Sequence, residues 1–342
     1  MLIIDVHDLS ALVQKISLRA FLDQLVTCMK HDFMHAHEFH QCPRVSFKHP
    51  EGILELMPVF NQDFFANKYV CTHKDNHHKN HYVVMGQGLW VDAHTGQPLM
   101  ITEMTILTAI RTAAVSLMMS ELMLKPNCQS MAIIGCGAQS DFQVMAHQKF
   151  GFNDIRCFDV DKHAMHRLIN QMAKEGISIR PCESVEEAVR DVDFIITLTN
   201  ANRIYPLIRE EWLKNGVHIN AMGGDAPGSS ELDSSIVKNS DIIVVEYLEQ
   251  TKLEGETQQL VESGNMEHVV EIAEFLKSKF DPNSIRHSSI FDGVGIALLD
   301  YSAMRLVWKL CHEHQIGHQT MMLPPYRGDK NLYQFLSLNS DQ

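Results

Sequence analysis

Four charged side chains stand in stretches whose other residues are suited to burial: Glu55 in GILELMP, Lys68 in FFANKYV, Arg111 in TAIRTAA and Asp225 in MGGDAPG. Taking a charge out of water is costly unless a partner or a ligand meets it. Any one of the four alone is more often a solvated or ion-paired residue than a functional one. Together they are hard to explain by packing. Cations hold a carboxylate through charge-assisted hydrogen bonds, and carboxylates exchange protons with amines.

A second cluster is built from backbone rather than charge. The apolar run SMAIIG leads straight into Gly135-Cys136-Gly137-Ala138-Gln139-Ser140 and then into a helical stretch. Two glycines at that spacing allow a tight turn and a close approach of backbone to a pyrophosphate, and the helix start supplies N–H donors and a positive dipole end. Ser140 stands where the pattern usually has its third glycine. Asp159 closes the next apolar run, IRCFDV, 24 positions after Gly135. A carboxylate there hydrogen-bonds both ribose hydroxyls and repels a 2′-phosphate, which selects NAD over NADP.

These residues require a particular frame. Residues 1–40 carry helical apolar spacing, residues 44–104 are rich in short strand-like runs, and ITEMTILTAIRTAAVSLMMSELML reads as one or two helices. After Pro126, short apolar strands alternate with helices: MAIIG, IRCFDV, ISIRP, DFIITLT, VHINAMG and DIIVVE. That alternation predicts a parallel sheet covered on both faces. The fold class is therefore α/β. We expect a Rossmann-type doubly wound NAD domain over 114–299, and an α+β substrate and dimerisation domain formed from 1–113 with 300–342. Asp225, just after VHINAMG, falls at the carboxyl edge where doubly wound sheets bind ligands.

Bulk properties narrow the partners. A net charge of −13 without a Lys/Arg run argues against nucleic acid and suits a small cationic or zwitterionic substrate. Asp5 and Asp8 interrupt the start where a signal peptide needs an apolar run, and no uncharged apolar run approaches the roughly 18 residues of a membrane span. Cytoplasm is the expected location. The eight cysteines include no C-x-x-C pair and read as reduced. The histidines at 35, 37, 40, 77, 78 and 81 have no Cys partners and no H-E-x-x-H spacing, so we expect no metal. Asp161 reads as a helix cap.

The charged set, in order and spacing along nearly the whole chain, resembles the ornithine cyclodeaminase/μ-crystallin family. The resemblance rests on PRVSF with Arg44, ELMP, KYV, AIRTAA, GCGAQS, INAMGGDAPG, LEGETQQL and IFDGVGIALLDY. ELMP together with GGDAPG points toward its cyclodeaminase branch. The resemblance implies that Arg44, Lys68 and Arg111 hold the substrate α-carboxylate, that Asp225 transfers a proton by the α-amino group, and that Glu55 faces a distal amine. It implies further cofactor contacts from Thr199, Asn200, Ala221, Met222, Gly223 and Val294, and a homodimer. The activity it implies is conversion of L-ornithine to L-proline and ammonia, with NAD reduced and then reoxidised within one site. Lysine cyclodeaminase, an alanine dehydrogenase and a non-catalytic NAD-binding crystallin remain alternatives. One departure stands out: Ser229 occupies the place where the cyclodeaminase pattern usually has a Lys.

Overall fold

A computed structural model describes residues 1–199, 206–224, 226–262, 264–326, 328 and 330–336. Asn200 and Asp225, both expected site residues, lie outside the described residues. Two sheets organise the chain. The first contains β1 (Leu2–Ile4), β2 (His40–Gln41), β3 (Val45–His49), β4 (Gly52–Phe60), β5 (Phe64–Thr72), β6 (Val84–Asp92) and β7 (Pro98–Glu103). The second contains β8 (Ser130–Ile134), β9 (Asp154–Phe158), β10 (Arg180–Pro181), β11 (Phe194–Thr197), β12 (Val217–Ala221), β13 (Ile242–Val245), β14 (Val269–Glu271) and β15 (Ser288–Asp292). A last strand, β16 (His318–Gln319), returns to pair with β1 in the first sheet.

In the first sheet β3 to β7 form an antiparallel meander, with Glu55 opposite Val70 and Lys68 opposite both Met57 and Gly88. Because side chains alternate across a strand, this register puts Glu55, Met57, Lys68, Val70 and Trp90 on one face. All five are buried. The opposite face carries Val45, Phe47, Leu56, Phe60 and Tyr69, which are exposed. β1 precedes the helices α1 (Val6–Ile16) and α2 (Leu18–Met34), so the first forty residues are not helical throughout. Leu2–Ile4 gain strand geometry by pairing with β7, a long-range contact that helical spacing cannot reveal.

The second sheet is parallel, in the order β10-β9-β8-β11-β12-β15-β13-β14. After β8 the chain moves first toward β9 and then reverses toward β11, which opens a crevice at the carboxyl ends. β15 inserts between β12 and β13; its SSIFD sequence carries two serines and has too little apolar character to stand out.

Helix α3 (Thr105–Met123) joins the two sheets. It touches α2 and β6 on one side and α4 (Ser140–His147), β12 and β15 on the other. The expected boundary at 113/114 therefore falls inside one continuous helix, and that at 299/300 inside the last long helix, Ala297–His314. Glu103 fastens the start of α3 by accepting from the N–H groups of Thr105, Ile106 and Leu107. Among the described residues α3 is long and apolar enough to cross a membrane, but 78% of that stretch is buried inside the protein. The last long helix lies across β4, β5 and β6, where Tyr301 packs on Trp90 with ring centroids 4.8 Å apart.

Candidate active site

The crevice at the switch point opens into a cleft of about 1610 Å³ between the two sheets. Gly135, Gly137, Ala138, Gln139 and Asp159 line one end, Thr199, Met222, Gly223 and Val294 the middle, and Arg111 the other end. Ligand sites commonly fall in the range of about 300–1,000 Å³, so the space accommodates a dinucleotide and a small second molecule.

The dinucleotide end fits its group. Gly135 has φ +100°, and an added Cβ would stand 2.9 Å from the Leu198 carbonyl carbon, so this turn admits glycine alone. Gly137 meets nothing within 4 Å, which leaves its backbone open to a ligand. Ser140 is fully buried as the first residue of α4 and donates through Oγ to the Gly137 carbonyl at 2.7 Å, so it closes the loop where a third glycine is usual. Asp159 lines the cleft and accepts from the Cys136 N–H at 2.6 Å and the Asp161 N–H at 2.9 Å, fixing its carboxylate beside the loop. Asp161 caps the helix that follows, Lys162–Lys174. Met222, Gly223 and Val294 reach the cleft, whereas Ala221 is buried behind them as the last residue of β12. Ser229 is also buried, and its carbonyl accepts from the Gln258 side chain; the position holds a small side chain inside the protein.

Arg111, in the cleft lining, belongs to a cluster of charges that extends away from the cleft. Lys68 Nζ lies 2.9 Å from Asp300 Oδ2 and 3.0 Å from Oδ1, and Arg111 Nε lies 3.2 Å from Oδ1 of the same carboxylate. Asp300 is fully buried, so it is a counter-ion shared by two cations. Burial lowers the Lys68 pKa to about 8, against the pull of Asp300. Arg44 donates to the Val294 carbonyl and to the Gly295 carbonyl at 2.8 Å, and its guanidinium lies 3.1 Å from Glu254 and 3.3 Å from Glu55. The other Glu55 oxygen accepts from Ser46 Oγ at 2.7 Å. Glu246 accepts from the Gly295 N–H at 2.6 Å, and burial pushes its carboxyl up to about 7 although Arg111 opposes the shift.

The structure thus brings Arg44 and Glu55 into one ion pair and joins Lys68 to Arg111 through Asp300; of these only Arg111 lines the cleft, and Arg44, Glu55 and Lys68 do not. Asp300, Glu254 and Glu246 were not picked out from sequence. Asp300 and Glu246 stand in or beside apolar runs (LLDY, IIVVE), the mark that Glu55 also carries, whereas Glu254 lies in the polar stretch TKLEGETQQL and carries none.

The family model described as Ornithine cyclodeaminase/mu-crystallin family matches residues 6–315. The chain belongs to the ornithine cyclodeaminase/mu-crystallin family. It is 36% identical over 335 residues to the ornithine cyclodeaminase of Brucella suis biovar 1 (strain 1330), covering 97% of this chain and 92% of that one. Its fold matches an archaeal alanine dehydrogenase dimer with bound NAD at a TM-score of 0.85 and 27% identity, covering 94% and 99% of the two chains. It also matches the Thermococcus litoralis Δ1-pyrroline-2-carboxylate reductase, solved with NADH and L-proline, at a TM-score of 0.84 and 25% identity, covering 94% and 100%. With the family and the glycine-loop crevice both established, the protein is an NAD-dependent enzyme with an α/β fold.

Proposed function

We propose that this member of the family is an ornithine cyclodeaminase, converting L-ornithine to L-proline and ammonia. Glu55 carries the reading. It is a buried carboxylate on the inner face of the first sheet, on the same side as Lys68 and hydrogen-bonded to Arg44. A methyl side chain gives such a group nothing to bind, whereas a distal ammonium does. When bound, NAD takes up the α-hydride and later returns it. The chain's own residues do the rest. Arg44, Lys68 and Arg111 orient the α-carboxylate, and positioning of this kind removes several kcal/mol of barrier. Asp225 moves a proton at the α-amino nitrogen. Glu55 takes a proton from the δ-amine, which then attacks the α-carbon as ammonia leaves. The reaction requires that water be kept from the imine, which would otherwise hydrolyse.

The proposed setting is the cytoplasm, and the proposed assembly is a homodimer closed through the exposed sheet face that carries Phe47, Leu56, Phe60 and Tyr69. Contiguous apolar faces of that kind mark protein contacts.

A second reading has its own observation. The 3.3 Å pair with Arg44 makes Glu55 a structural counter-ion, as an alanine dehydrogenase would allow. Incubating the protein and NAD with ornithine, lysine or alanine separates the two. Proline and ammonia without net NADH supports the cyclodeaminase; NADH accumulating with alanine supports the dehydrogenase. Glu55→Gln is expected to lower ornithine turnover about 100-fold, within the range of lost acid–base groups, with NAD affinity unchanged. Unaltered turnover would remove Glu55 from its assigned role.

A further inference from the structure

On the side of the crevice away from Asp159, three buried carboxylates are held by neutral donors. Glu231 accepts from the hydroxyls of Thr197 and Thr199 (2.6 Å for the latter), from the Thr199 N–H at 2.7 Å and from the Gly223 N–H at 2.9 Å. Behind it Glu256 accepts from the N–H groups of Glu231 at 2.7 Å and Leu232 at 3.2 Å. Asp292 in turn accepts from the N–H groups of Glu256 at 3.0 Å and Thr257 at 2.8 Å. Among the described residues, the charged groups felt most by Glu256 are the other two carboxylates. Burial raises the Glu231 carboxyl to about 6, and its four donors, all N–H or O–H groups, favour the ionised form against that rise.

The segments that Glu231 fastens leave the ends of β11 and β12, and both Thr199 and Gly223 line the cleft. A dinucleotide with its adenosine ribose on Asp159 and its pyrophosphate on the glycine loop directs its nicotinamide end along this side, toward Arg111. The oxidised nicotinamide ring is a cation and the reduced ring is neutral. We infer that Glu231 acts as an electrostatic positioning residue, biasing the crevice toward the oxidised form of the bound cofactor. The inference rests on NAD as the cofactor and not on ornithine as the substrate. In a cycle that must end with the cofactor as it began, such a bias opposes accumulation of the reduced form.

A carboxylate that merely braced the two loops would, when replaced, weaken both forms alike. The test is calorimetric titration of the full chain with NAD⁺ and with NADH at pH 7, without amino acid. In Glu231→Gln the ratio Kd(NADH)/Kd(NAD⁺) is expected to fall about tenfold, the size of one unit charge acting across a protein interior. Equal weakening of both forms, or an unchanged ratio, overturns the inference. Failure of the unaltered protein to bind either form would sink the cofactor reading as well. If Glu231→Gln does not fold, Thr197→Val serves instead. Thr197 is buried behind the crevice, and losing its hydroxyl removes a hydrogen bond from the ionised carboxylate, so the same ratio is expected to fall, by less than in Glu231→Gln. No change in that ratio likewise overturns the inference.

Discussion

The two ends of the cleft are made in opposite ways. At the dinucleotide end a single stretch, Gly135 to Ser140, supplies a turn, open backbone and a helix start, with Asp159 arriving one strand later. At the charged end Arg44, Glu55, Lys68, Arg111, Glu246, Glu254 and Asp300 come from strands, loops and helices spread over more than 250 positions. Backbone recognition can be encoded locally because the polymer itself is the donor. Recognition by side-chain charge inside a protein cannot, because a buried ion requires a counter-ion or a set of donors that only tertiary structure brings to it.

The sharpest way to break this contrast is Asp300→Asn. The substitution keeps shape and removes the counter-ion that Lys68 and Arg111 share. Two buried cations are left uncompensated, so we expect a loss of about 3–5 kcal/mol in urea unfolding. For the amino-acid substrate kcat/KM is expected to fall on the order of 100-fold as the proposed carboxylate clamp loosens. NAD affinity is expected to stay within about twofold, since the carboxylate of Asp300 pairs with Lys68 and Arg111 and with no residue of the glycine loop. A proportional loss of NAD affinity would mean that the two ends are one cooperative unit.

Gly135→Ala is the converse. Strain at φ +100° and the close Leu198 carbonyl carbon oppose the new Cβ. A cost of about 1–3 kcal/mol on the binding-competent loop weakens NAD roughly tenfold or more by titration. At saturating NAD, the KM for the amino acid is expected to be unchanged. A tenfold change in that KM would count against separate construction of the two ends.

The same difference explains what could be read from sequence. The glycine loop, Asp159 and the alternating strands of the second sheet are periodic or contiguous signals. β1, β15 and the counter-ions are not. Leu2–Ile4 become a strand only because β7 lies alongside, and SSIFD becomes one only because β12 and β13 leave a slot between them. Glu55 drew attention as a charge in an apolar run, and Asp300 in GIALLDYSAM carries the same mark. Its helical setting disguised it, since on an amphipathic helix one carboxylate reads as the solvated face. Glu231, in SSELDSS, has no such mark at all. Polar neighbours make it look like a surface residue, and only the fold turns it inward onto the ends of β11 and β12.

The smallest expected effect comes from pH. Burial holds Lys68 at about 8 rather than 10.5. As pH rises through 8, Lys68 in the free enzyme loses its proton and the proposed clamp loses one cation, so kcat/KM for the amino acid falls, by about tenfold at pH 9 if the neutral form does not bind. The linkage runs the other way for stability. Between pH 8 and 10.5 the unfolded chain holds a proton on this lysine that the folded chain has released, so the contribution of Lys68 to stability increases with pH across that window. Falling kcat/KM with undiminished unfolding free energy between pH 8 and 9 therefore separates titration of the charged end from general loosening of the protein. NAD affinity, which depends on backbone donors at the other end, is expected to stay flat over the same range, and a parallel fall would erase the distinction between the two ends.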